Sequence, residues 1–110
     1  MKSKVNYSLG PLEREILKIV WADKEVCVRH VLEKLPNDLE PAYTTIMTLM
    51  NRMVDKGVLE RTKPNTTCYY QASENKRSFL KSISQLKINK IINQYGQEII
   101  PILQKTISKI

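Results

Sequence analysis

The stretch EPAYTTIMTLMNRMVDKG, residues 40–57, carries apolar side chains at the spacing of an amphipathic α-helix. This spacing predicts a helix from about Ala42 to Lys56 that stops at Gly57, a residue suited to a left-handed cap. The side chains expected to form its buried face are Ile46, Leu49, Met50, Met53 and Val54. After Gly57 the period changes to two, so VLERT and CYYQA are expected to form strands joined by the turn KPNTT.

Two further helices are predicted before this one. In GPLEREILKIVWAD, Gly10 is expected to cap the first helix and Pro11 to take its first position. KEVCV is a short β-prone stretch, and RHVLEKL predicts a second helix that is interrupted at Pro36. The order of helix, short strand, helix, helix and two-stranded ribbon is that of a winged helix-turn-helix.

The remainder of the chain has a helical pattern from Ser73 to its end, with a break expected at Gly96. Before that break, the side chains expected to continue one apolar stripe are Phe79, Leu80, Ile83, Leu86, Ile91 and Ile92. The predicted fold class is mainly α with a small β wing: a winged helix-turn-helix head, residues 1–72, and a helical C-terminal dimerisation tail, residues 73–110. The tail is rich in isoleucine, so a dimer core is favoured over packing on one small head. The residues expected at this dimer interface are Phe79, Ile83, Leu86, Ile91, Ile92, Ile99, Ile100, Leu103 and Ile107.

The charge balance favours an anionic partner. Lys and Arg number 18 against 11 Asp and Glu, a net charge of +7, which suits nucleic acid or an acidic membrane surface. The N-terminus lacks the apolar stretch of a signal peptide, and no run approaches the roughly 18 apolar residues of a membrane span. We therefore expect a cytoplasmic protein with no membrane partner.

Few residues are available for metal binding or catalysis. The two cysteines and the one histidine do not have the spacing of a zinc site, so no metal and no cofactor are expected. For Cys27 and Cys68, a buried or idle thiol is favoured over a redox role. With one His and three Gly, a nucleophile–His–acid set or a phosphate-binding loop is hard to assemble. The chain is therefore predicted not to be an enzyme.

The outward face of the predicted third helix is almost free of charge until Arg52. Short hydroxyl and amide side chains reach base edges and phosphates, and the second helix of a helix-turn-helix lies in the major groove. Arg61 and Lys63 approach the predicted wing, where they are expected to contact phosphates. The predicted DNA-binding residues are Tyr43, Thr44, Thr45, Met47, Thr48, Asn51, Arg52, Arg61 and Lys63. The alternative is a winged-helix protein-interaction module that uses Tyr43 and Met47 as anchors and does not bind DNA sequence-specifically.

The sequence resembles the penicillinase-repressor family of transcriptional regulators, the BlaI/MecI/CopY type, in the segments LGPLEREILKIVW, YTTIMTLMNRMVDKGVLER and YYQ. The resemblance covers roughly Leu9 to Ala72. It implies a homodimeric winged-helix repressor that binds an inverted-repeat operator in double-stranded DNA. It also implies that four side chains face bases and one faces a phosphate: Thr44, Thr45, Met47 and Thr48 for the bases, Arg52 for the phosphate.

The tail departs from the family in two features. Members released by proteolysis are cut at an Asn-Phe bond, whereas Phe79 follows Ser78 here. Copper-responsive members carry a C-terminal cysteine cluster, and this tail contains no cysteine. DNA binding and dimerisation are therefore expected from the resemblance, but β-lactam or copper sensing is not. An unidentified inducer or sensor protein is a further candidate partner.

Overall fold

A computed structural model of the chain describes residues 5–36, 41–62 and 69–110. The chain divides into two compact units, Met1–Asn75 and Lys76–Ile110. The elements of the first unit are α1 (Pro11–Asp23), β1 (Glu25–Val26), α2 (Val28–Lys34), α3 (Tyr43–Asp55), β2 (Leu59–Arg61) and β3 (Tyr70–Ala72). The second unit contains α4 (Lys76–Tyr95) and α5 (Ile99–Ser108). The mainly helical fold class with a small β component is thus confirmed.

The three strands form one antiparallel sheet in the order β1-β3-β2. Tyr70 of the central strand pairs with Val26 on one side and with Arg61 on the other. Both Tyr70 and Val26 are buried, so one face of this small sheet closes the helical core. The hairpin between β2 and β3 is the wing of a winged helix, and its predicted turn, residues 63–67, lies outside the described residues.

Helix α3 buries the side chains that its period predicts. Ile46, Met50 and Met53 are fully buried, whereas Leu49 and Val54 are half-buried. At 3.6 residues per turn, the last two fall at the edges of the apolar stripe, where the neighbouring elements cover only part of each side chain. The core around them is completed by Ile16, Leu17, Val20, Val26, Val28, Val31, Leu35, Val58, Leu59 and Tyr70.

The two ends of α3 are defined by different backbone features. Its first residue follows Ala42, whose backbone is extended. At the other end Gly57 adopts φ 84°, and the Val58 N–H donates to the Met53 carbonyl (3.0 Å). A left-handed residue that closes the last turn with such a bond is the termination that glycine favours. The predicted cap at Gly57 is confirmed.

A buried ion pair joins the start of α1 to the end of α3. Glu13 is only 5% exposed, and its Oε1 accepts from the Lys56 ammonium (2.9 Å) and from the Gly10 N–H (2.8 Å). Lys56 also donates to the Ser8 carbonyl (2.8 Å). Burial by itself raises the pKa of the Glu13 carboxyl. The hydrogen bonds from Gly10 and Lys56, together with the charges of Lys56 and Arg52, outweigh this effect and bring that pKa below its ordinary value.

The second unit consists of a long helix and a shorter one separated at Gly96, as predicted. Gly96 has φ 87°, and its N–H donates to the Ile92 carbonyl (2.7 Å). Pro101 is the third residue of α5, where its missing N–H removes no intrahelical bond. Among the helices of the described ranges, none is both long and apolar enough to cross a membrane.

The apolar residues of α4 do not form the single stripe that the sequence analysis assumed. The helix is continuous from Lys76 to Tyr95, so each residue advances the direction of its side chain by about 100°. Over this length the apolar positions of the first half and those of the second half lie on nearly opposite sides. The first group is Phe79, Leu80, Ile83 and Leu86, and the second is Ile88, Ile91, Ile92 and Tyr95. Helix α4 therefore has two apolar surfaces.

Replacing Glu13 with Gln should lower the free energy of unfolding by roughly 3 kcal/mol at neutral pH, because the Lys56 ammonium would lose its partner in a buried site. The folded-state pKa of Glu13 lies below the ordinary value of 4.5. Its contribution to stability is therefore complete above that value and is lost as the pH falls through the folded-state pKa. Urea denaturation between pH 7 and pH 3 measures both effects.

The matched control is Glu15→Gln, because Glu15 pairs with Lys18 (2.9 Å) on the exposed side of the same helix. That change should cost less than about 1 kcal/mol, as is usual for a solvated pair. Equal losses for the two variants, or a pH profile of Glu13→Gln identical to that of the parent, would show that the buried pair does not stabilise the fold.

Candidate nucleic-acid interface

The first half of the outward face of α3 carries exposed side chains without charge. Most of these side chains are short and polar. Thr44, Thr45 and Thr48 are exposed, and two large apolar side chains lie among them: Tyr43, 44% exposed, and Met47, 38% exposed. A shallow depression follows this face, and its walls are Thr44, Thr45, Thr48, Leu49 and Arg52. The residues that sequence analysis assigned to base contact therefore form one continuous surface.

Asn51 occupies a different environment from the threonines. It is half-buried, and its Oδ1 accepts from the Arg61 guanidinium (2.8 Å) and from the Tyr70 hydroxyl (2.8 Å). Arg61 itself is exposed at the end of β2. The structure thus brings Asn51 and Arg61 together, although they are ten residues apart in sequence, and links α3 to both strands of the wing.

Arg29 is a candidate residue that the sequence analysis missed. It lies in the first turn of α2, is exposed, and its guanidinium carbon stands 6.0 Å from the centre of the Tyr43 ring. That distance is at the limit of a cation–π contact. The position of Arg29 next to the start of α3 places its charge beside the threonine face. The available signal was its location in the helix before the predicted recognition helix, since that helix crosses the DNA backbone in a helix-turn-helix.

The net positive charge is distributed very unevenly. Residues 76–110 contain seven Lys and Arg and one Glu, whereas residues 1–75 contain eleven Lys and Arg and ten Asp and Glu. Six of the seven net charges therefore belong to the tail, and α4 has no acidic residue at all. The overall charge cannot be taken as a property of the α3 face. Among the described residues, Arg29, Arg52 and Arg61 bring positive charge to the neighbourhood of that face.

The remaining predicted residues have varied outcomes. Lys63 and Cys68 lie outside the described residues. Cys27, immediately before α2, is half-buried and forms no disulfide within the described residues. Within residues 5–36, 41–62 and 69–110, no group of three or more His, Cys, Asp and Glu is arranged to hold a metal ion.

The residues predicted for dimerisation differ in how much of each side chain remains accessible. Phe79 is only 7% exposed in the single chain, so it has little surface left for a second copy. Leu86 and Ile107 are strongly exposed. The others are half-buried: Ile83, Ile91, Ile92, Ile99, Ile100 and Leu103. Of the nine large apolar side chains that are strongly exposed in the part of the chain described, seven belong to α4, α5 and the C-terminal residue.

The three helices, the antiparallel wing and the polar face of α3 define a winged-helix transcription regulator. The chain belongs to the penicillinase repressor family, whose sequence model matches residues 9–109. Members of this family are transcriptional repressors rather than enzymes.

Curated relatives agree with this family, and solved structures agree with the fold. The methicillin resistance regulatory protein MecI is 26% identical over 85 residues in both Staphylococcus aureus and Mammaliicoccus sciuri, covering 77% of this chain and 69% of MecI. The DNA-binding domain of the repressor BlaI has a similar structure, with a TM-score of 0.58 and 22% identity over 67% of this chain and 90% of that domain. Lactococcus lactis ZitR, solved in complex with DNA, gives a TM-score of 0.53 and 13% identity over 99% of this chain and 77% of ZitR.

The two faces of α3 should respond very differently to truncation. Thr45→Ala and Thr48→Ala should change the free energy of unfolding by less than about 0.5 kcal/mol, because both side chains are exposed. Ile46→Ala, which lies between them in sequence but is fully buried, should cost about 2–5 kcal/mol through lost burial and a residual cavity. Thermal and urea denaturation of the three variants measure the difference. A loss above about 1 kcal/mol for either threonine would mean that this face is packed rather than free.

Proposed function

We propose that this protein is a homodimeric repressor that binds an inverted-repeat DNA operator, with α3 as the recognition helix in the major groove. The observation that carries the proposal is the outward face of α3, where Thr44, Thr45 and Thr48 are exposed side by side and Arg52 follows at the end of the same depression. A face used only for solvation would carry Lys and Glu. Short hydroxyl side chains instead let the helix come close to base edges.

The side chains on this face match the chemistry of the major groove. Threonine hydroxyls donate to and accept from base edges, and the methyl groups of Thr and Met pack on the thymine methyl group. Arg52 is one turn further along the helix than Thr48, so it is proposed to contact a phosphate. Arg29, on the other side of Tyr43, is proposed to contact the backbone in the same way. Phosphate contacts from both ends of the threonine face would fix the register of α3 on the duplex.

We assign DNA binding to residues 1–72 and dimerisation to residues 73–110. The assignment is supported by the accessible apolar surface of the second unit, including Leu86 on α4 and Ile107 on α5. A two-fold dimer would present two copies of α3 to successive major grooves about one helical turn apart. The relatives support it as well, since BlaI is described as a repressor with a DNA-binding domain and ZitR was solved with DNA. With DNA as its partner, the protein would act in the cytoplasm.

The alternative is a winged-helix module that binds another protein. It has support from Tyr43 and Met47, the two exposed apolar side chains on α3, which could serve as anchors. A band-shift titration of the full chain with operator and scrambled duplexes separates the two functions, because only a sequence-specific DNA-binding protein prefers the operator. A DNA-binding protein should retain measurable affinity at low salt and lose it steeply as salt rises, because counterions are released from the phosphates. No binding at low salt would favour the protein-interaction module.

Thr45→Ala and Thr48→Ala should each weaken binding to the operator by about 1–3 kcal/mol and affect scrambled duplex far less, because they remove contacts that distinguish bases. Arg52→Ala should weaken both duplexes together. Its slope of log affinity against log salt should shrink by roughly 0.9 per lost phosphate contact, and about twice that in a dimer. Salt titrations of each variant on operator and scrambled duplexes provide the measurement.

Two outcomes would count against the assignment of α3. Threonine variants that weaken operator and scrambled DNA equally would show that these side chains do not read sequence. An unchanged salt slope for Arg52→Ala would show that this guanidinium does not contact a phosphate.

Ile107→Glu should convert the dimer to monomer at micromolar concentration, because the change places a carboxylate in an apolar interface at a cost of several kcal/mol, on the order of that for burying an unpaired charge. The matched control is Ser108→Glu, which adds the same charge one position away, about 100° around α5 on its polar side. Sedimentation equilibrium measures both variants. A parent chain that is monomeric at this concentration, or equal dissociation by the two variants, would contradict the proposed interface.

The affinity of the dimer should also depend on salt, in a direction that the charge of the tail determines. Each tail carries a large positive excess, so the two copies repel each other, and added salt should screen this repulsion and tighten the dimer. DNA binding should change in the opposite direction over the same range of salt.

A further inference from the structure

Asn51 connects three elements of the winged-helix unit through a single oxygen atom. It lies in the third turn of α3, and its Oδ1 accepts from Arg61 of β2 and from Tyr70 of β3, both at 2.8 Å. Arg61 and Tyr70 are themselves direct partners across the antiparallel pair. The amide oxygen therefore ties the recognition helix to both strands of the wing at one point.

These two bonds limit what Asn51 can do on DNA. An amide oxygen has two lone pairs, and both are used here. The adenine contact expected of asparagine needs that oxygen to accept from the adenine N6 group while the amide nitrogen donates to N7. Asn51 could make this contact only by releasing Arg61, Tyr70 or both. Tyr70 is buried, so moving the Asn51 oxygen away would remove a hydrogen-bond acceptor from a hydroxyl inside the fold, which is costly.

Arg61 gains from the same arrangement. Its side chain is exposed, and one of its terminal nitrogens donates to Asn51, whereas a guanidinium has five N–H donors in all. The bond restricts the rotamers of this long side chain before DNA is bound. Without it, the side chain would lose that rotamer freedom on binding. The donors that remain can meet a phosphate without further ordering of the side chain.

We propose that Asn51 is a positioning residue and not a base-reading residue: it holds the Arg61 guanidinium at the edge of the wing in the orientation that contacts a DNA phosphate. This inference rests on the proposed function of α3 as the recognition helix. It replaces the direct base contact that the sequence suggested for Asn51.

The test is a double-mutant cycle on the full chain, with Asn51→Ala, Arg61→Ala and the double variant titrated against operator and scrambled duplex at several salt concentrations. If Asn51 acts through Arg61, each single variant weakens binding to both duplexes by roughly tenfold to a hundredfold, the loss expected for one hydrogen bond to a charged group. The double variant is then no weaker than Arg61→Ala within about twofold, and all three share one reduced salt slope. The control cycle is Thr48→Ala with Arg61→Ala, which should be multiplicative.

Base preference supplies a second readout that a loss of local structure would not imitate. Asn51→Asp keeps an acceptor oxygen for both donors but removes the amide donor, so the proposal predicts the same preferred base at every operator position. The Asn51→Asp variant also provides this test if Asn51→Ala does not fold. Multiplicative losses in the Asn51–Arg61 cycle, or a change of preference from adenine to cytosine at one position in Asn51→Asp, would overturn the positioning role. A parent chain that binds no duplex at low salt would instead overturn the proposed function itself.

Discussion

Helix α3 has to bury Ile46, Met50 and Met53 completely, and the rest of the molecule follows from that requirement. Each such side chain contributes about 1.5–3 kcal/mol when it leaves water, so the helix can take only one orientation on the core. With a period of 3.6, this orientation forces Thr45 and Thr48 to the outside. The packing of the buried side chains on one side of α3 therefore determines where the polar face lies. The side chains of the polar face take no part in that packing and remain accessible for recognition.

Polar bonds then fix α3 in directions that apolar packing leaves adjustable. At its C-terminal end, the Glu13–Lys56 pair anchors the helix to the start of α1 inside a site largely closed to solvent. In its third turn, Asn51 connects the helix to the wing. Glu13, Lys56 and Asn51 would be costly to bury without their partners. Arrangements of helix and wing that break these bonds are therefore disfavoured. A recognition helix held in this way would lose little freedom on meeting DNA.

The order of elements and the cap at Gly57 could be predicted because each depends on nearby residues: periodicity, turn composition and glycine position. The partners of Asn51 could not, because ten residues of chain and a strand register separate it from Arg61. The contact of Arg29 with Tyr43 could not be predicted either, since it arises from the crossing of two helices. The place of Arg29 in the helix before α3 was nevertheless a usable signal. The two apolar surfaces of α4 follow from the spacing of its apolar residues along the helix. They could therefore have been predicted, and the expectation of one stripe was wrong.

In the proposed function, two copies of α3, held in a fixed dimer, read an inverted repeat. Selection of bound duplexes from a randomised library with the full chain, at moderate salt, tests it most directly. We expect enrichment of one motif and its inverted copy, with centres about 10 base pairs apart or a multiple of that distance. Retained duplexes that share no motif, or that contain single half-sites without a partner, would contradict it.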